Sequence, residues 1–194
     1  LPLGCEVAIR LVHAVREALP GMVFAAEGIE AMVSEDGLIA PEAAATWGLE
    51  ADAMVSDIAL HLSAQDSVSK LLCHHPDREM QSDATIVELV AGACGDLATV
   101  TSAGPGWITI GAPGVTKAVG LAKACELLGY ESSEVACIGD ALNDVAMLAW
   151  AGHPMAVANA CVEVREIAGR VLASNAHDGV AQLLEQLAGG AGGL

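Results

Sequence analysis

The chain has 194 residues, with 8 Lys and Arg against 25 Asp and Glu, a formal net charge of −17 that argues against nucleic acid and anionic membrane surfaces as partners. Apolar residues make up 54% of it and are mostly small: alanine alone contributes 37, whereas Phe and Tyr occur once each. A chain of this size can bury about 70% of its unfolded surface, so a globular protein is expected and disorder is excluded away from the ends.

No apolar run reaches the roughly 18 residues of a membrane span, and Glu6, Arg10, Arg16 and Glu17 interrupt the first segment. The six cysteines, Cys5, Cys73, Cys94, Cys125, Cys137 and Cys161, lie scattered in hydrophobic stretches without a C-x-x-C pair. They read as buried free thiols in a reducing cytoplasm. The sequence opens Leu1-Pro2-Leu3-Gly4, with neither Met nor a basic-then-apolar leader, and is expected to begin inside a longer protein. It carries no signal for oligomeric state.

From Cys5 onward, Val7, Leu11, Val12, Val15 and Leu19 recur at helical spacing until Pro20-Gly21 ends the pattern. Two short strands follow at 22–27 and 31–35, separated by Gly28 and closed by the turn residues Glu35-Asp36-Gly37. The pattern then predicts a third strand over 68–74, a helix from Ser82 through Ala93, and extended segments at 96–102 and 107–110 around Gly104-Pro105-Gly106. Residues 1–111 thus read as one unit, helices interleaved with a mostly antiparallel sheet.

Residues 112–194 follow a different grammar. Thr116 caps a helix running to Leu128, Gly129 stops it, and 135–139 is a short buried strand. Helix 143–151, strand 154–158, helix 162–168, strand 170–173 and helix 177–187 alternate after it, ahead of a glycine-rich tail at 189–194. Such alternation means parallel strands joined by crossover helices, the doubly wound α/β arrangement. There is no internal repeat.

In open parallel sheets, reactive groups gather beyond the carboxyl ends of the strands. Here the strand over 135–138 runs into Gly139-Asp140-Ala141-Leu142-Asn143-Asp144, with Asp140 and Asp144 four residues apart at the start of a helix and Asn143 between them. Two carboxylates that close repel each other, and a hard divalent cation offsets the repulsion better than a helix N-terminus does. Mg2+ suits the set, because it takes one or two carboxylates and leaves its other positions to water and phosphate. The alternative is that Asp140 or Asn143 merely caps the helix. Lys117, one of three lysines, opens a helix where a cation opposes the macrodipole, a position that suits an anion. Beside a phosphate it would neutralise charge through phosphoryl transfer; a solvated surface lysine is the competing reading.

The strings G-V-T-K-A-V-G-L, V-A-C-I-G-D-A-L-N-D-V-A-M-L, M-A-V-A-N-A and A-S-N-A-H-D-G-V, in this order and spacing from Gly114 to Leu187, resemble the C-terminal part of the Cof-type branch of the haloacid dehalogenase superfamily. The first 110 residues resemble the α/β cap that these enzymes insert into a Rossmann-like core. The resemblance implies a Mg2+-dependent phosphatase acting on a small phosphorylated metabolite such as a sugar phosphate, through an aspartyl-phosphate intermediate. It assigns charge balance on nucleophile and phosphate to Lys117, direct Mg2+ ligation to Asp140, action through a metal-bound water to Asp144, and orientation of phosphate or the metal's water shell to Asn143. Asn159 would lie at the edge of the site, or else cap the helix over 162–168.

The resemblance also requires an N-terminal D-x-D-x-T strand end carrying the nucleophile, and a Ser/Thr motif before the cap. Neither occurs; Asp52 in Glu50-Ala51-Asp52 offers the nearest string and follows no strand. The nucleophile and the central strand of the core are therefore expected outside this sequence, which would leave an apolar sheet edge unpaired. The alternative is a truncated, non-catalytic module that binds a phosphorylated ligand or a partner. A generic nucleotide-binding domain lacks support, since neither glycine-rich phosphate fingerprint is present.

The remaining chemistry-bearing residues have plainer readings. His74 and His75 are consecutive on a strand and face opposite ways. Lys70 reads as solvated or ion-paired rather than substrate-facing; Glu27, Glu30, Glu35 and Asp36 read as a solvated acidic face; and Trp47, Trp107 and Trp150 read as packing residues.

Overall fold

The structure is a computed structural model that describes residues 2–28, 31–38, 54–76, 83–104 and 106–190. The readings placed on Glu30, Trp47, Asp52, Ser82, Pro105 and the last four residues of the tail lie outside these. The chain forms two compact units, Leu1–Val115 and Thr116–Leu194. No described helix is long and apolar enough to cross a membrane.

The first unit is built on a six-stranded sheet: β2 (Val23–Glu27), β3 (Met32–Glu35), β4 (Met54–Val55), β6 (Lys70–His74), β7 (Thr99–Gly104) and β8 (Trp107–Gly111), in the order β4-β3-β2-β6-β8-β7. Every pairing is antiparallel except β3 with β4. Strand alternation sends Phe24, Ala26, Leu71, Cys73, Ile108 and Ile110 to one face, where they pack in one core with Leu11, Val12 and Val15 of α1 (Cys5–Ala18) and Val90 of α3 (Asp83–Cys94). Ala25 and Leu72 point to the other face, with Leu38 and Trp107.

Three local departures from the sequence reading have physical causes. The run over 68–74 is two strands: β5 (Ser67–Val68) pairs with β1 (Leu3–Gly4), and β6 enters the large sheet. They part at Ser69, whose N–H donates to the Glu27 carbonyl at 2.7 Å. A short helix, α2 (Ile58–Leu62), went unread although Asp57 caps it by accepting from Ala59 N at 2.9 Å. Glu35, expected on a solvated face, is 4% exposed. Its carboxylate accepts Phe24 N at 2.9 Å and Ile58 N at 2.7 Å and pairs with the Arg16 guanidinium, so three donors from α1, β2 and α2 satisfy a charge that burial would otherwise forbid. Asp36 is exposed, and Glu27 pairs with Lys70 at 3.0 Å, the ion-paired reading of that lysine.

The histidines also diverge as strand geometry requires: His74 is buried, its Nε2 bonded to the Leu38 carbonyl at 2.9 Å, whereas His75 Nε2 meets the Pro20 carbonyl at 3.0 Å. Trp107 lies edge-on to His74, 5.3 Å between centroids, and Trp150 packs on the core of the second unit. All six cysteines are free, five of them buried and Cys161 half-buried. Burial pushes the Cys73 and Cys94 thiols up, Cys94 to about 11, so neither is a thiolate at neutral pH.

The second unit is a parallel three-stranded sheet, β9 (Ala136–Gly139), β10 (His153–Val157) and β11 (Arg170–Leu172), in the order β11-β10-β9. It carries α4 (Lys117–Leu128), α5 (Val145–Trp150), α6 (Val162–Ile167) and α7 (Gly179–Ala188). Its main core is made of short side chains, Cys137, Ala151, Ala156, Val157, Ala160 and Val164 around Leu148, in keeping with the alanine-rich composition. The helices expected to begin at 143 and 177 start later. Each is preceded by a 3-10 turn, Leu142–Asp144 and Asn175–His177.

Candidate active site

The carboxyl end of β9 holds the cluster. Gly139 leaves the strand where a Cβ would stand 2.6 Å from the Asp144 Cβ, so the absence of a side chain lets Asp144 fold back beneath its own loop. Asp144 is 3% exposed. Its Oδ2 accepts the N–H groups of Asp140 at 3.0 Å and Ala141 at 3.2 Å, and its Oδ1 accepts from Lys117 Nζ at 2.5 Å. Neither Asp140 nor Asn143 caps the helix; the Asp144 carboxylate closes the turn instead. That closure is why the turn is 3-10 and why helical spacing misjudges where the two aspartates point.

Lys117 enters from the first position of α4, which Thr116 caps by accepting from Val119 N at 3.3 Å. Its ammonium also donates to Asn143 Oδ1 at 3.3 Å. An ammonium has three donors, so among the described residues one remains, on a side chain that is 50% exposed. Lys117, Asn143 and Asp144 are thus one hydrogen-bonded cluster. The exposed Asp140 carboxylate beside it has no partner among the described residues.

Burial raises the Asp144 pKa. The Lys117 hydrogen bond, the two backbone N–H groups and the Lys117 charge more than offset this and hold the carboxyl below the ordinary range. A depressed folded-state pKa contributes stability that is fully present above the unfolded value and is lost as pH falls through the folded one. Acid unfolding followed by circular dichroism should therefore show stability falling below about pH 4, with a shallower acid slope in Asp144→Asn.

Asn159, on the loop after β10, does not cap α6. The cap residue is Cys161, without a side-chain bond. Instead Asn159 Oδ1 accepts Asn175 N at 2.9 Å and ties this loop to the one after β11, while Cys161 N donates to the Asp140 carbonyl at 2.9 Å. Asn159 therefore shares the sheet edge with the cluster but makes no bond to it. Within the string A-S-N-A-H-D-G-V, sequence reasoning gave Ser174 and His177 no role of their own; Ser174 Oγ meets His177 Nδ1 at 2.7 Å.

The donors available to a metal are all oxygen. No group of three or more His, Cys, Asp or Glu among the described residues is arranged to hold an ion. Asp140 is uncommitted, Asn143 shares its oxygen with Lys117, and both Asp144 oxygens are taken. This set fits a hard cation that takes one carboxylate directly and fills its shell with water, as Mg2+ does, and does not fit a closed zinc site.

A family model described as haloacid dehalogenase-like hydrolase matches residues 42–184. A 5-amino-6-(5-phospho-D-ribitylamino)uracil phosphatase of Bacillus subtilis is 40% identical over 85 residues, 44% of this chain and 34% of that enzyme. A phosphoglycolate phosphatase of Halorubrum lacusprofundi is 34% identical over 124 residues, 64% of this chain and 54% of that enzyme. The matches thus span between a third and about half of these two relatives' lengths. Among solved structures, SMU.1108c from Streptococcus mutans superposes with a TM-score of 0.79 at 22% identity, covering 97% of this chain and 70% of that one, a likeness of fold.

Proposed function

This chain belongs to the haloacid dehalogenase-like hydrolase family, and from that premise we propose that it supplies the cap and part of the catalytic core of a Mg2+-dependent phosphatase acting on a small phosphorylated metabolite. The observation that carries the reading is the Lys117 ammonium, pinned by Asn143 and Asp144 with one donor to spare, next to an uncommitted Asp140. Asp140 would hold Mg2+ directly and Asn143 would reach its water shell, whereas Asp144, both of its oxygens already bonded, would act through Lys117. Bound there, the ion supplies charge neutralisation for the phosphoryl oxygens. The spare donor of Lys117 would meet a phosphate oxygen, and Asp144 keeps that lysine charged and aimed.

In this reading the aspartate that attacks phosphorus to give the aspartyl-phosphate would come from protein outside these residues, and the first unit would serve as the cap domain. The two enzymes named above act on a ribityl phosphate and on phosphoglycolate, which supports a small phosphate monoester, a sugar or polyol phosphate, as the substrate class. In the full-length protein, a chelator should abolish phosphate release from p-nitrophenyl phosphate and added Mg2+ should restore it; release that survives chelation would overturn the proposal.

The absence of a D-x-D-x-T string favours a second reading, a non-catalytic module that binds phosphorylated ligands. Turnover by a preparation of verified 19.6 kDa mass would exclude that one.

A further inference from the structure

We propose that the turn Ser174–Gly179 is a substrate-recognition element, in which the His177 imidazole contacts a hydroxyl of the non-phosphate part of the substrate; this rests on the phosphatase reading above. The turn follows β11 at the carboxyl edge of the parallel sheet, two strands from the exit of β9. Through the register of β10 with both neighbours, Val171 of β11 lies level with Gly139, about 10 Å away at the usual strand spacing, and the turn follows three residues on.

The turn is held more firmly than its exposure explains. Asp178 has φ 53 and ψ 35, the one positive φ outside glycine among the described residues. Such strain persists where the surroundings over-determine it. They do so here: Asn159 Oδ1 accepts Asn175 N at 2.9 Å, the Ser174 carbonyl accepts His177 N at 2.9 Å and Gly179 N at 3.2 Å, and Gln182 Nε2 donates to the His177 carbonyl at 2.8 Å. A Cβ on Gly179 would meet the Ala173 carbonyl oxygen at 1.9 Å.

On this frame the His177 ring is exposed yet oriented. Nδ1 is paired with Ser174 Oγ at 2.7 Å, and Nε2 has no partner among the described residues. Fixing an exposed ring costs rotamer entropy and buries no apolar surface in return, so stability gives no reason for it, whereas presenting Nε2 to a ligand does. Asp178 beside it and Asp140 on the same edge disfavour a second carboxylate on the ligand, which makes an uncharged hydroxyl the fitting partner.

The test compares kcat/KM of the full-length protein, Mg2+ present, on ribose 5-phosphate, 2-phosphoglycolate and p-nitrophenyl phosphate. In His177→Ala the ratio of ribose 5-phosphate to p-nitrophenyl phosphate should fall about tenfold, the worth of one hydrogen bond, mostly through KM. Ser174→Ala, which releases the ring without removing it, should move the ratio the same way by less. The His177 Cε1 proton resonance should shift with ribose 5-phosphate and not with inorganic phosphate. Equal losses on the three esters would mark His177 as structural, and kcat/KM unchanged on all three would leave it no role; either overturns the proposal. A wild-type protein that hydrolyses none of the three overturns the phosphatase reading itself, and this inference with it.

Discussion

Lys117→Met in the full-length protein should lower kcat by about 10²–10³-fold and the melting temperature together. Both effects come from one ammonium. In the proposed mechanism its spare donor would stabilise charge on the transferring phosphoryl group, an interaction worth most in the transition state. Its other donors satisfy Asn143 and the buried Asp144, whose carboxylate would be left with two backbone N–H groups alone against the burial that opposes its charge. Breaking a fully buried pair costs about 3–5 kcal/mol, but the Lys117 side chain is half exposed, so about 1–2 kcal/mol is expected here. Arg should not restore activity, because its planar fork cannot place one donor on each of three oxygens as a compact ammonium does. Steady-state kinetics and a thermal melt on the same preparation check both halves.

Asp140→Asn should separate what Lys117→Met joins. Its carboxylate is exposed and bonded to nothing among the described residues, so the melting temperature should move by no more than about 0.5 kcal/mol would shift it. If Asp140 holds Mg2+ as proposed, phosphate release should fall by about 10³-fold, since an amide lacks the carboxylate's charge. Asp144→Asn forms the contrast: the same chemical change four residues on removes the ion pair with Lys117 and unfastens the turn, so stability and turnover should fall together.

The elements that position this site were legible because their signals are local. Thr116 before an apolar run and a short strand ending in Gly139-Asp140 each lie within a few residues, and the structure has the capped helix over 117–128 and the strand over 136–139. The direction of Asp144 was not legible, because helical spacing assumed a helix through 143 while the aspartate's bonds to Asp140 N and Ala141 N make a tighter turn. Its ion pair with Lys117 spans 27 residues, and no window of sequence contains both. Glu35 failed as a surface residue for the same reason. Its partners, Arg16 and Ile58, lie 19 and 23 residues away, and only the fold brings them to one carboxylate. The short helix at 58–62 was missed because a single helical turn is too short for periodicity to show, and the strand read over 68–74 hid its division at Ser69 because β5 has only two residues and its partner β1 lies more than 60 residues away.

The proposed function makes the carboxyl edge of β9 a metal and phosphate site anchored on Asp140. Titrating Mg2+ calorimetrically into the full-length protein, wild type and Asp140→Asn side by side, tests it most directly. The wild type should bind one Mg2+ saturably, and the variant should lose that binding at an unchanged melting temperature. Equal Mg2+ affinity in the two proteins would contradict it.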